Sequence, residues 1–422
     1  MGIQTVAIYS EADAESLHTY LADECYCIGG PLLEESYLNQ DAILMVAKKT
    51  FVDAIHPGYG LLSENAEFAK RCVENQIAWI GPSYEVMMRM SQKEAARRLS
   101  QEAGVPVTCG SELLHDVETA IREADRIGYP VLLKASAGGG GKGIRLVRSK
   151  EEMQHAYATA SEEAIKAFGD GGLYLEKYLE HVKHIEAQII ADIAGNIVVL
   201  GDRDCSIQRK NQKLVEECPA PTLPDEVRKR IYDAAKRLVK ACHYTTVGTI
   251  EFLVDEDGHF YFMEMNTRLQ VEHSVTEMVC NIDIVQWQIR TAAGYQLLFH
   301  EEQLEKNGHA IECRICAEEP IHFTPSCGFI DLLHIPGGPN IRFDSAIYQN
   351  YTVLPFYDSM LGKLIVCARS REEAIRKMKS ALAEFVLTGI QCNRDFYLQL
   401  LEQKEFIQGT YTTGLLRGQN EI

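Results

Sequence analysis

Short apolar runs alternate with amphipathic stretches over residues 3–80. The runs at 5–9, 54–56 and 78–80 read as strands; 37–49 and 63–75 carry a helical period, the latter with Ser63 as N-cap. Such alternation predicts a parallel, doubly wound sheet. Residues 84–103 read as one helix, stopped by Gly104 and Pro106. Residues 107–180 form a small α/β module around a glycine run, 181–320 are strand-rich, and 321–422 mix strands with a helix over 372–385 and a helical tail.

The most informative pattern is a pair of apolar runs, 249–254 and 259–264, joined by Asp255-Glu256-Asp257-Gly258. Asp-Gly between apolar runs predicts a hairpin. A two-residue turn sets Glu251 directly opposite Glu264; a four-residue loop makes them diagonal. In both registers they share a face, and like charges so placed call for a cation. Asn266 and Arg268 follow at the same parity. Oxygen donors beside a cationic side chain suit Mg²⁺ holding a nucleotide phosphate.

At 422 residues the chain is expected to form two or three packed units. Its net charge of −18 argues against nucleic-acid binding, yet leaves room for a local site that binds an anion. No apolar run is long enough to span a membrane, and the N-terminus lacks a signal pattern, so a cytoplasmic location is expected. The thirteen scattered cysteines fit thiols in a reducing compartment. Cys313 and Cys316 make a lone C-x-x-C inside a strand pattern, where core packing is the expected role.

The run from Ser136 to Gly143 lies between two strand patterns, so it fits neither a dinucleotide fingerprint nor a P-loop. A strand–glycine loop–strand flap remains, with Lys134 and Lys142 adding charge for phosphate. His184, Glu186 and Gln188 alternate onto one strand face. Residues 208–213 are basic in an acidic chain, with Glu216 and Glu217 close behind. Arg314 alternates toward a cavity it could share with Arg268, and two guanidiniums imply an anionic substrate or developing charge.

Eight segments, in order HPGYGLLSENAEF, VLLKASAGGGGKGIR, LYLEKYLE, KHIEAQ, DRDCSIQRKNQK, EMNTRLQVEH, HAIECRI and YDSMLGKL, together closely resemble biotin carboxylase, the ATP-grasp subunit of acetyl-CoA carboxylase. The resemblance implies a fold of mixed α/β and α+β class. It would comprise a Rossmann-like N-terminal domain (1–90), an ATP-grasp domain (91–295) with a glycine-rich lid (107–180), and a C-terminal β-rich domain (306–412). It implies ATP contacts from Lys93, Lys134, Gly140, Gly141, Glu176, Lys177, Tyr178, Leu179, His184 and Asn211. Two Mg²⁺ or Mn²⁺ ions would be bound through Glu251, Glu264 and Asn266. Bicarbonate would be held by Lys213, Arg268, Gln270 and Val271, with Glu272 as general base. Arg314 would stabilise the biotin enolate and Tyr59 would lie near biotin. Implied partners are a biotin carboxyl carrier protein that presents the biotin, carboxyltransferase subunits, and a second copy in a homodimer; no nucleic acid and no membrane is implied.

Three departures from the family pattern stand out. The family begins with a strand and helix carrying Asn-Arg-Gly-Glu-Ile-Ala, whereas this sequence starts at Met1-Gly-Ile, where that helix would end. A truncated N-terminal sheet is therefore expected, missing a central strand and exposing apolar surface and two strand edges. Asn211 replaces a usual histidine, and Ser274 a usual proline, which would loosen its loop. Competing readings are another ATP-grasp ligase, a non-catalytic nucleotide-binding paralogue, and the biotin carboxylase subunit of a different acyl-CoA or pyruvate carboxylase.

Overall fold

The structure is a computed structural model that describes residues 1–136 and 144–416. It is mixed α/β, built on one large antiparallel sheet. Gly140, Gly141 and Lys142 lie outside the described residues.

The N-terminal unit contains β1 (Val6–Tyr9), α1 (Leu17–Leu21), β2 (Glu24–Cys27), α2 (Gln40–Lys49), β3 (Ala54–Ile55), α3 (Ala66–Glu74), β4 (Ala78–Trp79) and α4 (Tyr84–Ser91). The strands are parallel, as alternation predicts, but form two separate pairs, β1–β2 and β3–β4. Both pairs pack on a single apolar cluster that includes Ile43, Phe68, Cys72 and Trp79. α3 starts after Asn65, whose side chain caps Phe68 N, so Ser63 sits in a preceding 3-10 turn and is not the cap.

The next unit holds α5 (Lys93–Glu102), α6 (Val117–Ile127), β5 (Val131–Ala135), β6 (Ile144–Val147), α7 (Lys150–Phe168) and β7 (Leu173–Lys177). Residues 84–103 are thus two helices, broken where Gln92 takes an extended conformation. The break puts Lys93 on the first turn of α5. β6–β5–β7 make a small antiparallel sheet flanking the glycine run.

β8 (Lys183–Ala191), β9 (Ile197–Arg209), β10 (Gln212–Cys218), α8 (Asp225–Cys242), β11 (Thr246–Val254), β12 (Phe260–Asn266), α9 (His273–Cys280) and α10 (Ile284–Ala292) follow. Next come β13 (His309–Cys316), β14 (Gly328–Phe329), β15 (Leu332–His334), β16 (Ile341–Ser345), β17 (Thr352–Val353), β18 (Met360–Ala368), α11 (Arg371–Glu384), β19 (Val386–Thr388), α12 (Arg394–Leu400) and α13 (Lys404–Gln408). Eight strands form one sheet in the order β12–β11–β8–β9–β10–β13–β18–β16. The β10–β13 ladder runs through the boundary expected between 295 and 306.

Period two decides what each face of this sheet carries. On β8, Ile185, Ala187, Ile189 and Ala191 face an apolar cluster with α8, whose Val227, Ile231, Ala234, Leu238 and Val239 recur at helical spacing. Each large side chain buried there contributes roughly 1.5–3 kcal/mol. Consequently His184, Glu186 and Gln188 point to the opposite face, where α9 and α10 pack.

Candidate active site

The hairpin β11–β12 delivers the first carboxylates by a device the alternation did not reveal. Near the turn Val254 pairs with Phe260 and Phe252 with Phe262; one step on, Glu251 pairs with Glu264. Met263 is the extra residue of a β-bulge. Strict alternation would put Phe262 and Glu264 on one face; the bulge sends Phe262 into the core and Glu264 to the site. The loop is longer than either expected turn, and Asp255 Oδ1 accepts from Asp257 N and His259 N at 3.1 and 2.8 Å.

Glu251 is buried and saturated. Its Oε1 accepts from Lys213 Nζ (2.8 Å), Asn266 Nδ2 (2.8 Å) and Gln270 Nε2 (3.0 Å), and its Oε2 lies 2.9 Å from His184 Nε2. Burial would raise its pKa, but Lys213 and His184 outweigh burial and hold the carboxyl far below its usual range. Burial likewise disfavours the His184 imidazolium, yet Glu251 and Glu186 hold its pKa up at about 9. Gln208 Nε2 contacts His184 Nδ1 at 2.9 Å and orients the ring.

Glu264 differs from its neighbour. By area it is open to the cleft, and among the described residues its carboxylate finds no hydrogen-bond donor. The enclosing protein and then Glu251 push its pKa up. Two opposed carboxylates, one without a donor among the described residues, and Asn266, whose Nδ2 meets Glu251 while its Oδ1 accepts from Arg268, bring together the oxygens that would suit a hard divalent cation.

Lys213, near the start of β10, ties three carboxylates together: Glu186, Glu251 and Glu272, the last at 2.7 Å. Glu272 immediately precedes α9 and has no exposure; its second oxygen accepts from Arg314 Nη2 at 2.9 Å. Burial opposes its charge, but Lys213, Arg314 and Arg203 hold it ionised, below the usual carboxylate range, against Glu186. Arg268 donates from Nη2 to Asn266 Oδ1 (2.9 Å) and from Nε to Glu64 Oε2 (2.9 Å). Val271 contributes its carbonyl, which accepts from Lys363 Nζ at 2.6 Å.

A second group lies on β5, β7 and the start of α5. Lys134 Nζ donates to Glu176 Oε2 at 2.6 Å. Burial and then the charge of Lys134 lower the pKa of Lys93, on the first turn of α5. Lys177 turns to the carbonyls of Gly128 and Tyr129 (2.8 and 3.0 Å), and Tyr178 N donates to Pro130 O (3.2 Å), so this segment is anchored by its backbone surroundings. Leu179 is half-buried. Asn211 sits at an exposed two-residue turn with φ +64° beside Lys210 at +48°, and Tyr59 at an exposed turn after His56. Among the described residues neither is joined to the Lys213 cluster by a hydrogen bond.

The structure adds residues that sequence reasoning did not single out as site residues. Arg203 is fully buried and gives Nε and Nη2 to Glu186 Oε2 (3.0 and 2.9 Å), and Nη1 to Gln188 Oε1 (2.7 Å). Glu64 lies within the HPGYGLLSENAEF segment, a usable signal. Ser274 lies inside α9 rather than in a loop, its hydroxyl accepting from Lys363 and donating to Asp344 Oδ2 (3.2 Å).

Three family profiles match. "Biotin carboxylase, N-terminal domain" covers residues 1–87, "Carbamoyl-phosphate synthase L chain, ATP binding domain" 92–299, and "Biotin carboxylase C-terminal domain" 312–418. The chain is 49% identical to biotin carboxylase 1 of Bacillus subtilis over 419 residues, covering 99% of this chain and 93% of that protein. It is 48% identical to the 2-oxoglutarate carboxylase small subunit of Hydrogenobacter thermophilus, over 99% of this chain and 88% of that one. Among solved structures, the biotin carboxylase–β,γ-ATP complex of Campylobacter jejuni superposes with TM-score 0.96 at 48% identity, over 99% of this chain and 93% of that one.

Proposed function

The chain belongs to the biotin carboxylase family of ATP-dependent ligases, and from that premise we propose how its residues divide the work. The observation that carries the proposal is Glu272, fully buried and gripped by Lys213 on one oxygen and Arg314 on the other. Glu272 removes the proton of bicarbonate, which Lys213, Arg268, Gln270 and the Val271 backbone hold. Bicarbonate then attacks the γ-phosphorus of ATP, giving carboxyphosphate and ADP. Carboxyphosphate collapses to CO₂ and phosphate, the phosphate takes the ureido proton of biotin, and the resulting enolate, beside Arg314, captures CO₂. Tyr59 flanks the biotin.

ATP is assigned to Lys93, Lys134, His184, Asn211, Gly140, Gly141 and the stretch Glu176 to Leu179, with adenine held partly by backbone. Phosphoryl transfer needs alignment and charge neutralisation more than covalent help. Glu251, Glu264 and Asn266 fit Mg²⁺ or Mn²⁺, which when bound supplies that neutralisation. The domain reading keeps 1–90, 91–295 and 306–412 as units, supported by the spans of the three profiles.

The reading includes a homodimer, a biotin carboxyl carrier protein and carboxyltransferase subunits. The dimer is supported by a solved relative described as a domain dimer. It places the chain in the first half-reaction of acetyl-CoA carboxylase, in fatty acid synthesis and in the cytoplasm. Support for the last comes from free cysteines and from the absence, among the described residues, of a helix able to cross a membrane. Relatives of similar identity serve 2-oxoglutarate and pyruvate carboxylases, so reconstitution with carboxyltransferases of each type decides the acceptor.

The test of the chemistry is ATP hydrolysis with Mg²⁺ and bicarbonate, with and without free biotin. Biotin-stimulated turnover is expected, and Glu272→Gln lowers it by about 10²–10⁴-fold. Undiminished bicarbonate-dependent hydrolysis in that variant overturns the assignment of the base.

A further inference from the structure

Glu216 and Glu312 face each other across the β10–β13 ladder, on the face that α9 covers. Directly opposed side chains in such a ladder stand about 4.5–5.5 Å apart at Cβ. Both residues are at 0% exposure. Glu216 Oε1 accepts from Arg314 Nε at 2.7 Å, but among the described residues Glu216 Oε2 and both oxygens of Glu312 find no partner. Three orphan acceptors in one buried spot call for a donor, because a buried carboxylate requires one.

Among the described residues, the charged groups around the pair leave no cation to spare. From β13 comes Arg314, already divided between Glu216 and Glu272. From β18 comes Lys363, which donates to Val271 O and Ser274 Oγ and lies 3.5 Å from Asp344 of β16. Lys213 of β10 is committed to Glu186, Glu251 and Glu272. From α9, Glu277 is taken by Arg342, and His273 is kept neutral, its pKa lowered to about 3 by burial and Lys363. Anions outnumber available cations, and a proton held between the carboxyls supplies the missing donor.

We propose that Glu216 and Glu312 share one proton, and thereby act as positioning residues that leave Arg314 free to reach Glu272 and the biotin enolate. The pair carries one negative charge instead of two, so the guanidinium is not drawn back into the sheet. The electrostatics of the pair agree: burial above all lifts the Glu216 pKa to about 7 against Arg314, and that of Glu312 to about 8 against Lys363. As the pH climbs past that range the shared proton is lost, the second charge competes with Glu272 for Arg314, and biotin-dependent turnover falls. This rests on the roles proposed above for Glu272 and Arg314.

Two measurements on the full chain test it. Infrared difference spectroscopy of wild type against Glu312→Gln at neutral pH should show the carbonyl stretch of a protonated carboxylic acid in wild type alone. A difference spectrum without that band overturns the proposal, whether or not the protein turns over ATP. Biotin-dependent turnover across pH 6–10 should keep its neutral rate within about twofold in Glu312→Gln but lose its alkaline decline. Glu312→Leu, which strands Glu216 as a full charge, should cost about tenfold or more, the scale of one misdirected charged hydrogen bond. Equal losses in Gln and Leu variants with an unchanged pH profile would reduce Glu312 to a packing residue. Should Glu312→Gln fail to fold, Glu216→Gln must remove the same band. Absence of any biotin-dependent turnover in wild type would count against the function instead, and the spectrum would still decide the pair.

Discussion

Side chains whose proximity alternation could only suggest are in direct contact: Lys213 alone touches Glu186, Glu251 and Glu272. Replacing Arg314 with Ala should therefore lower biotin-dependent turnover by about 10²-fold or more while the KM for ATP moves little, as steady-state kinetics will show. Equal effects on both would place Arg314 in ATP binding. Buried Glu217 gives a pH prediction. His309, Arg371 and Tyr411 bind it at 2.6–2.8 Å. Burial pushes its pKa up, but His309 and Arg371 win and lower it to about 2. Its folded pKa lies below the unfolded one, so its stabilisation is present above about pH 4.5 and is lost as pH falls toward 2. Melting temperature should fall less steeply over that window in Glu217→Gln. Residue types were legible because metal, phosphate and bicarbonate demand carboxylates, lysines and arginines. Arg203 was not, because an arginine at zero exposure looks like any other in a strand pattern, and only the opposing Glu186 reveals its purpose.

Among the elements, the hairpin, the glycine-flanking strands and β13 were readable from alternation and turn residues. The bulge at Met263 was not: one extra residue in a ladder leaves no mark in composition, yet it decides which side Glu264 faces. The break at Gln92 hid for a similar reason, since both halves keep a helical period and no Gly or Pro announces it. The hairpin tip can be probed through Gly258, which has φ +76° and where an added Cβ would meet Val227 Cγ2 at 2.9 Å. Gly258→Ala should cost about 1 kcal/mol, read from the urea midpoint, because a left-handed conformation disfavours any side chain. An unchanged midpoint would mean the loop relaxes freely.

For the molecule as a whole, the N-terminal unit reaches the centre through Glu64, which accepts from Arg268 Nε and Thr267 N. It reaches the C-terminal unit through tyrosines: Tyr357 donates to Pro31 O, Tyr348 to Glu15 O, and Ser10 meets Tyr357. Glu64→Ala should release Arg268 and raise the KM for bicarbonate severalfold with little change in ATP affinity, measured by bicarbonate titration of ATP turnover. The joining of two of the expected units by one sheet was not visible in sequence, because strand order depends on pairing across ninety or more residues.

That joining has a consequence for how the molecule can fail. Lys213 lies on β10 and Arg314 on β13, and these strands are hydrogen-bonded neighbours. A fluctuation that peels away the C-terminal strands removes Arg314 and at the same stroke bares the edge of the strand carrying Lys213. The strand carrying Arg314 therefore cannot leave the strand carrying Lys213 without breaking the β10–β13 ladder, so the two residues are kept or lost together.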